Sequence, residues 1–272
     1  MTIPCCKPCN HDHLAPLEKV VKTAVDAGHE AVAALDKWDL FYWLATIYYG
    51  NLFRELTLKA RQGDPQSPMI MTEELLSAYS LHHLLLRGRR GGVSVPDGAF
   101  PATIFVFECQ QLADFPALNW DYGDTLVQPY VAIRMGRVGV MAFLQDWGAC
   151  ETEGPEVFRQ AQGIALHPAQ WRFLVGWGTA VANMYRRPSG QIILRHEDNV
   201  TVAPPPPSLA RRPRFDPNME MTANVIALVM GQDLNTIYDG TNLLNAIRRA
   251  DGSPLVIPLV VDNCDAHIEL PH

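Results

Sequence analysis

Apolar residues recur along this chain with two different periods, and the change from one to the other divides it. From Leu14 to Asp26, the residues Leu17, Val20, Val21, Ala24 and Val25 keep three- and four-residue steps. That spacing predicts an amphipathic helix, with Pro16 in its first turn and Gly28 just past its end. Between Leu40 and Leu58, the positions Leu40, Trp43, Leu44, Ile47, Tyr48, Leu52 and Leu56 repeat the step, and Phe41, Tyr42, Tyr49 and Phe53 fill the opposite side. A helix apolar nearly all round belongs at the centre of a core, so this one is expected to be the most buried, with Asp36 or Asp39 as its cap. Its aromatics keep the helical period, which favours packing over a base-stacking surface. Gly63, Pro65 and Pro68 mark a loop, and Thr72 then caps a predicted third helix running to Leu86.

The middle of the chain changes period. Thr103 to Phe107 is a continuous apolar run, read as a buried strand. Asp114 to Asp124, with Pro116, Asn119 and Gly123, reads as a long loop. Tyr130 to Arg134 and Val138 to Leu144 predict a hairpin turning at Met135-Gly136-Arg137. His167-Pro168 opens a helix through Trp171, Leu174, Val181 and Tyr185, and Gln191 to Leu194 with Val200 to Val202 predicts a second hairpin. Pro204 to Pro207 reads as an extended spacer, continued by the basic Arg211-Arg212-Pro213-Arg214. Asp216-Pro217 is a start signal for a helix stopping at Gly231, and Thr241 is read as the cap of a shorter one through Leu244, Ile247 and Arg248. Leu255 to Val261 contains Pro258, which places this last strand at a sheet edge.

The expected class is therefore α+β: an N-terminal helical layer, a mainly antiparallel central sheet and a helical C-terminal unit. Three segments follow: residues 1–13, a body over 14–203, and a Pro-rich spacer with the C-terminal unit over 204–272. With 272 residues, 48% hydrophobic and 19% charged, the chain can bury a full core. The net charge of −7 argues against general coating of nucleic acid and leaves room for a locally basic cleft. Met1 to His13 holds no apolar leader core, and Asn51, Arg54 and Glu55 interrupt the most apolar stretch, so no membrane role is expected. Cys109, Cys150 and Cys264 follow no spacing rule and read as buried free thiols, which points to a reducing cytoplasm.

The ten residues from Pro4 to His13 carry the candidate chemistry. Pro4-Cys5-Cys6-Lys7-Pro8-Cys9-Asn10-His11-Asp12-His13 holds half of the six cysteines. In Cys6-x-x-Cys9, two intervening residues let both thiolates face one tetrahedral metal. Structural zinc takes four ligands, so this is half a site, which His11 or His13 supplements, with Cys5 as the alternative to Cys6. A merely Cys- and His-rich terminus is the other reading. The segment through Leu14-x-Pro16-Leu17-Glu18 resembles the closing half of an HNH-type zinc-knuckle nuclease module on a bacterial uncharacterised protein, over roughly the first eighteen residues. The resemblance implies zinc on Cys6, Cys9 and His13, Asn10 as the third letter of the motif, and a divalent metal such as Mg at a phosphodiester. The first CxxC, the Asp/Glu-His-x-x-Pro strand and the Asn loop that such modules place earlier have no counterpart here. The expectation is a start that has been lost or misassigned, hence a truncated or degenerate endonuclease, inactive as given.

The alternative is a non-enzymatic protein whose α+β body binds a protein partner or DNA, the knuckle being a vestige. Arg87-Gly88-Arg89-Arg90-Gly91-Gly92 supports either a phosphate contact or a solvated helix end, where cations are favourable anyway. His82 and His83, about 100° apart on a helix, are poorly placed to share a metal. Glu108, Asp121, Asp124, Asp146 and Glu151 are candidates for a carboxylate cluster, and His196-Glu197-Asp198 looks like a hairpin tip.

Overall fold

The computed structural model describes residues 7–113, 115–126, 128–184, 191–204 and 218–257. A π-helical turn (Cys9–Leu14) runs into α1 (Ala15–Ala27), which stops at Gly28, where φ is 109°. After the short α2 (His29–Ala33), Asp36 accepts from the backbone N–H groups of Trp38 at 2.8 Å and Asp39 at 3.3 Å, and so starts α3 (Lys37–Glu55). Thr72 caps as read, accepting from Leu75 N at 3.2 Å. The single helix expected after it is two: α4 (Glu73–Ser77) and α5 (Ser80–Leu86). The break is at Tyr79, whose ring turns inward and donates its hydroxyl to the Leu126 carbonyl. A long-range bond there outweighs continuation of the helix.

The strands are β1 (Val93–Ser94), β2 (Thr103–Glu108), β3 (Trp120–Thr125), β4 (Tyr130–Met135) and β5 (Val138–Phe143), then a hairpin of β6 (Ile192–Arg195) and β7 (Val200–Ala203). One antiparallel sheet has the order β2-β5-β4-β3, and β1 joins β7 in parallel to make a smaller sheet, β1-β7-β6. Both hairpins form where the periodicity placed them, and Gly136 takes the turn at φ 61°. The segment read as one long loop contains β3, which pairs along its whole length with β4.

Strands β4 and β5 are buried on both faces, and this explains their unbroken apolar sequence. Val131, Val138, Val140 and Ala142 point to one core, built with Leu40, Phe41, Leu44 and Tyr48 of α3. Tyr130, Ala132, Met141 and Phe143 point to the other core, with α8 (Pro168–Met184) and α9 (Met219–Met230). The short α6 (Ala149–Glu153) and α7 (Glu156–Gln160) lead into α8, and α10 (Leu234–Ile237) follows α9. The sheet is thus the middle of three layers. Helix α8, pressed between the sheet and α9, buries nearly its whole circumference and is more enclosed than α3, where Phe53 and Arg54 are exposed and Trp43 is half-buried. The expectation for α3 was wrong in this respect, because only one of its sides meets the sheet.

At the C-terminal end, Asn218 caps α9 by accepting from Met221 N at 2.9 Å, and Gly231 ends the helix at φ 66°. Asp216-Pro217, the spacer residues 205–207 and Arg211 to Arg214 lie outside the described residues. The helix read from Thr241 does not form. Asp239 Oδ1 takes the N–H groups of Thr241 and Asn242, and Asn245 Oδ1 takes that of Ile247, so side chains close turns that a helix would otherwise use. Residues 255–257 are not strand, and 258–261 lie outside the described residues. Gln170 Nε2 donates to the carbonyls of Ala246 at 2.9 Å and Leu255 at 2.8 Å, which ties this irregular segment to α8. Among the described residues, no helix is long and apolar enough to cross a membrane, and Cys109 and Cys150 are free thiols.

Candidate functional site

Three arginines leave α5 together. Arg87 to Arg90 form a single 3₁₀ turn, closed by Gly91 at φ 83° and Gly92 at φ 78°. The turn lies against α3, with Gly88 so close to Tyr42 that a Cβ would stand 2.5 Å from the phenol oxygen. Arg89 is held by Asp39 of α3 at 2.8 Å. Among the described residues, no carboxylate pairs with Arg87 or Arg90, and both are exposed.

An open pocket of about 200 Å³ lies beside this turn, floored by Tyr42, Thr46 and Tyr49 of α3. His83 of α5 stands over Tyr49, with ring centroids 5.4 Å apart and planes within 12°. Burial raises the phenol pKa of Tyr42, an effect the neighbouring Arg89 partly offsets, and burial raises that of Tyr49 too. Both phenols therefore face the pocket neutral, as hydrogen-bonding groups. Cys9 and His13, four residues apart on the π-helical turn, complete the rim. On the far side of Tyr42 is a second hollow of about 310 Å³, walled by Trp38, Tyr42, Leu85 and Val95, with Gly88 and Ser94 at its edge.

No family model, no curated protein and no solved structure matches this chain. The reading of the site accordingly rests on its own geometry.

Of the residues singled out from the sequence, Cys9 and His13 meet at the pocket, Asn10 is exposed and does not line it, and Cys6 lies outside the described residues. Structural zinc takes four donors, and Cys9 and His13 are only two side chains of that kind. Among the described residues, no three His, Cys, Asp or Glu side chains converge as a metal site. His82 and His83 diverge as the helical angle required: His82 is buried with Nε2 3.0 Å from the Ala45 carbonyl, and His83 faces outward.

The five carboxylates of the sheet region do not gather. Asp146 is buried, accepting from Thr103 Oγ1 at 2.6 Å and, in the first turn of α6, from Cys150 N at 2.8 Å. Asp121 meets Arg172 at 3.6 Å. Asp124 instead adjoins Glu55 of α3: desolvation raises the pKa of Glu55 first, and the Asp124 charge adds to it. Tyr122 donates to Asp124 at 2.7 Å in the same group.

A Cys and a His also lie at the end of β2, where the parallel bridge Cys109–Leu166 adjoins His167. Burial pushes the Cys109 thiol up to about 12 despite Arg134 nearby, so no thiolate nucleophile is available. Arg134, itself buried, donates to the carbonyls of Leu118 and Gln110, both at 2.6 Å, and thereby holds the 110–118 segment. The aromatics of the arginine pocket, in contrast, were legible only as core. Their period is helical, and nothing in local spacing shows that Tyr42 and Tyr49 also face an arginine turn some forty residues away.

Proposed function

We propose that the protein is a non-catalytic, nucleic-acid-associated α+β protein that grips phosphodiester groups of DNA at the arginine pocket, beside an HNH-like knuckle segment. One observation carries this reading: Arg87, Arg89 and Arg90 line the same pocket as Cys9 and His13. Guanidinium forks match phosphate oxygens in two parallel hydrogen bonds, and Arg87 and Arg90 bring charge that no carboxylate among the described residues neutralises. On a chain of net charge −7, this is a local positive field within a negative whole. It fits contact with a few phosphates rather than coating of a long tract.

The degenerate HNH-type endonuclease reading shares this surface, since it too sets a knuckle against a phosphodiester. Zinc would then sit on Cys6, Cys9 and His13, and a divalent metal such as Mg at the scissile phosphate. No hydrolytic step is assigned to the described residues. A protein partner in place of DNA is the remaining alternative. Free, buried Cys109 and Cys150 accord with a reducing cytoplasm.

Fluorescence anisotropy with labelled DNA over a salt series tests the reading. Replacing Arg87 and Arg90 together by Ser should weaken binding and flatten the log K against log salt slope by about 0.7 per lost contact on a single strand. Unchanged affinity and slope would remove the phosphate site. Cleavage of the same DNA with Mg, abolished by Cys6→Ser with Cys9→Ser, would favour the endonuclease.

A further inference from the structure

An aromatic hollow adjoins the arginines, and a phosphate contact alone leaves it unused. Tyr42 lines both the arginine pocket and the hollow, and Gly88, set between Arg87 and Arg89 on the turn, lines the hollow. We propose that the two form one bipartite site for an unpaired nucleotide, with its phosphate on Arg87 and Arg90 and its base in the hollow against Tyr42 and Trp38. This rests on the phosphodiester reading and names the kind of strand it takes.

The size of each compartment supports a divided ligand. The hollow, at about 310 Å³, is at the lower end of pockets that enclose a small molecule, roughly 300 to 1,000 Å³, and the space beside the arginines, at about 200 Å³, is below that range. The chemistry is divided in the same way. Guanidinium groups stand on one side, and two aromatic rings with Leu85, Val93 and Val95 stand on the other. A base offers a π-face to such walls, whereas a phosphate has nothing to gain from them. In a duplex the bases are paired and stacked, so only an unpaired one reaches the hollow while its phosphate stays on the turn.

The hollow's polar edge is already engaged. Ser94 Oγ lies 3.2 Å from Thr201 Oγ1 and accepts from Asn199 Nδ2 at 2.8 Å. With that hydroxyl occupied, the walls stack without reading base edges, so the site tolerates any base.

Gly88 makes the proposal testable with one methyl group. Its φ lies outside the left-handed region, so alanine is acceptable to the backbone, but the new Cβ would stand 2.5 Å from the Tyr42 phenol oxygen. The Tyr42 ring, which lines both compartments, must then shift. The experiment measures anisotropy of three labelled ligands on the full chain: a short oligothymidylate, an abasic strand of equal length and the corresponding duplex. Wild type should bind oligothymidylate about 10-fold more tightly than either of the others, within the range of one base stacked on an aromatic ring. Gly88→Ala should lose that preference and bind oligothymidylate and the abasic strand equally. Should its thermal midpoint show that Gly88→Ala is unfolded, Tyr42→Leu gives the same comparison.

If the abasic strand binds as tightly as oligothymidylate while Arg87→Ser with Arg90→Ser weakens both, the base site falls and the phosphodiester reading stands. If the arginine changes weaken neither, the phosphodiester reading itself falls. Preferential binding of vesicles of anionic lipid over every strand would overturn the base site in favour of a headgroup with an apolar tail.

Discussion

Gly139 of β5 lies flat against the indole of Trp171 in α8: a Cβ at residue 139 would stand 2.5 Å from Trp171 Cζ3 and 3.1 Å from the Cys109 sulfur. Trp171 is fully buried, so neither ring nor strand has space to yield. Gly139→Ala should destabilise the protein by about 1–3 kcal/mol through overpacking. Urea unfolding reads this as a lower midpoint at unchanged slope, and an unmoved midpoint would mean the helix is not seated on the sheet as described.

Asp36 is the start of α3, and its carboxylate satisfies two otherwise orphaned N–H groups. Asp36→Ala should cost about 0.5–2 kcal/mol, and Asp36→Ser should restore most of it. Similar losses for both changes would show that the carboxylate acts other than as a cap.

Leu44 and Trp43 are neighbours in sequence, but Leu44 is completely buried and Trp43 only half so. Leu44→Ala should therefore cost about 2–5 kcal/mol, by lost burial and a cavity. Trp43→Ala should cost less despite removing the larger ring. Thermal midpoints of the two variants decide the order.

Burial, and secondarily Arg134, lowers the His167 pKa from 6.5 to about 4. As pH falls below about 6.5, the unfolded chain takes up a proton that the native ring refuses until about pH 4. The stability this residue contributes is thus complete above that window, declines through it and levels off below it. The total loss is on the order of 3 kcal/mol. His167→Asn should flatten the dependence of urea midpoint on pH in this window, and an unaltered profile would show that the ring titrates normally.

Among the described cysteines, Cys9 should alkylate first under native conditions, because it is half-buried while Cys109 and Cys150 are 2% and 3% exposed. Burial also raises the thiol pKa of Cys109, and of Cys150 beside Asp146. Mass spectrometry over a time course of iodoacetamide follows the order. Early modification of Cys109 would require the end of β2 to open.

The sequence by itself determined the elements whose pattern is their own. Helices α1, α3 and α8, the β4–β5 and β6–β7 hairpins, and the caps at Asp36 and Thr72 were legible because an apolar period, a turn glycine or a capping side chain acts within a few residues. Tertiary structure decided what depended on a neighbour. Trp120 to Thr125 is polar and interrupted by Gly123, so nothing local marks it as a strand; β4 supplies its partner, and Gly123 lets it approach Val175 of α8. Tyr79 breaks a helix for the sake of a carbonyl far away in sequence, and Asp239 and Asn245 replace a predicted helix with turns. The arginine pocket belongs to the same class. The knuckle could be read as two metal donors and the arginine turn as a loop, each from its own residues. That Cys9 and His13 share one pocket with the arginine turn, and that Tyr42 also lines an aromatic hollow, follows from the packing of α3 against α5, which no periodicity encodes.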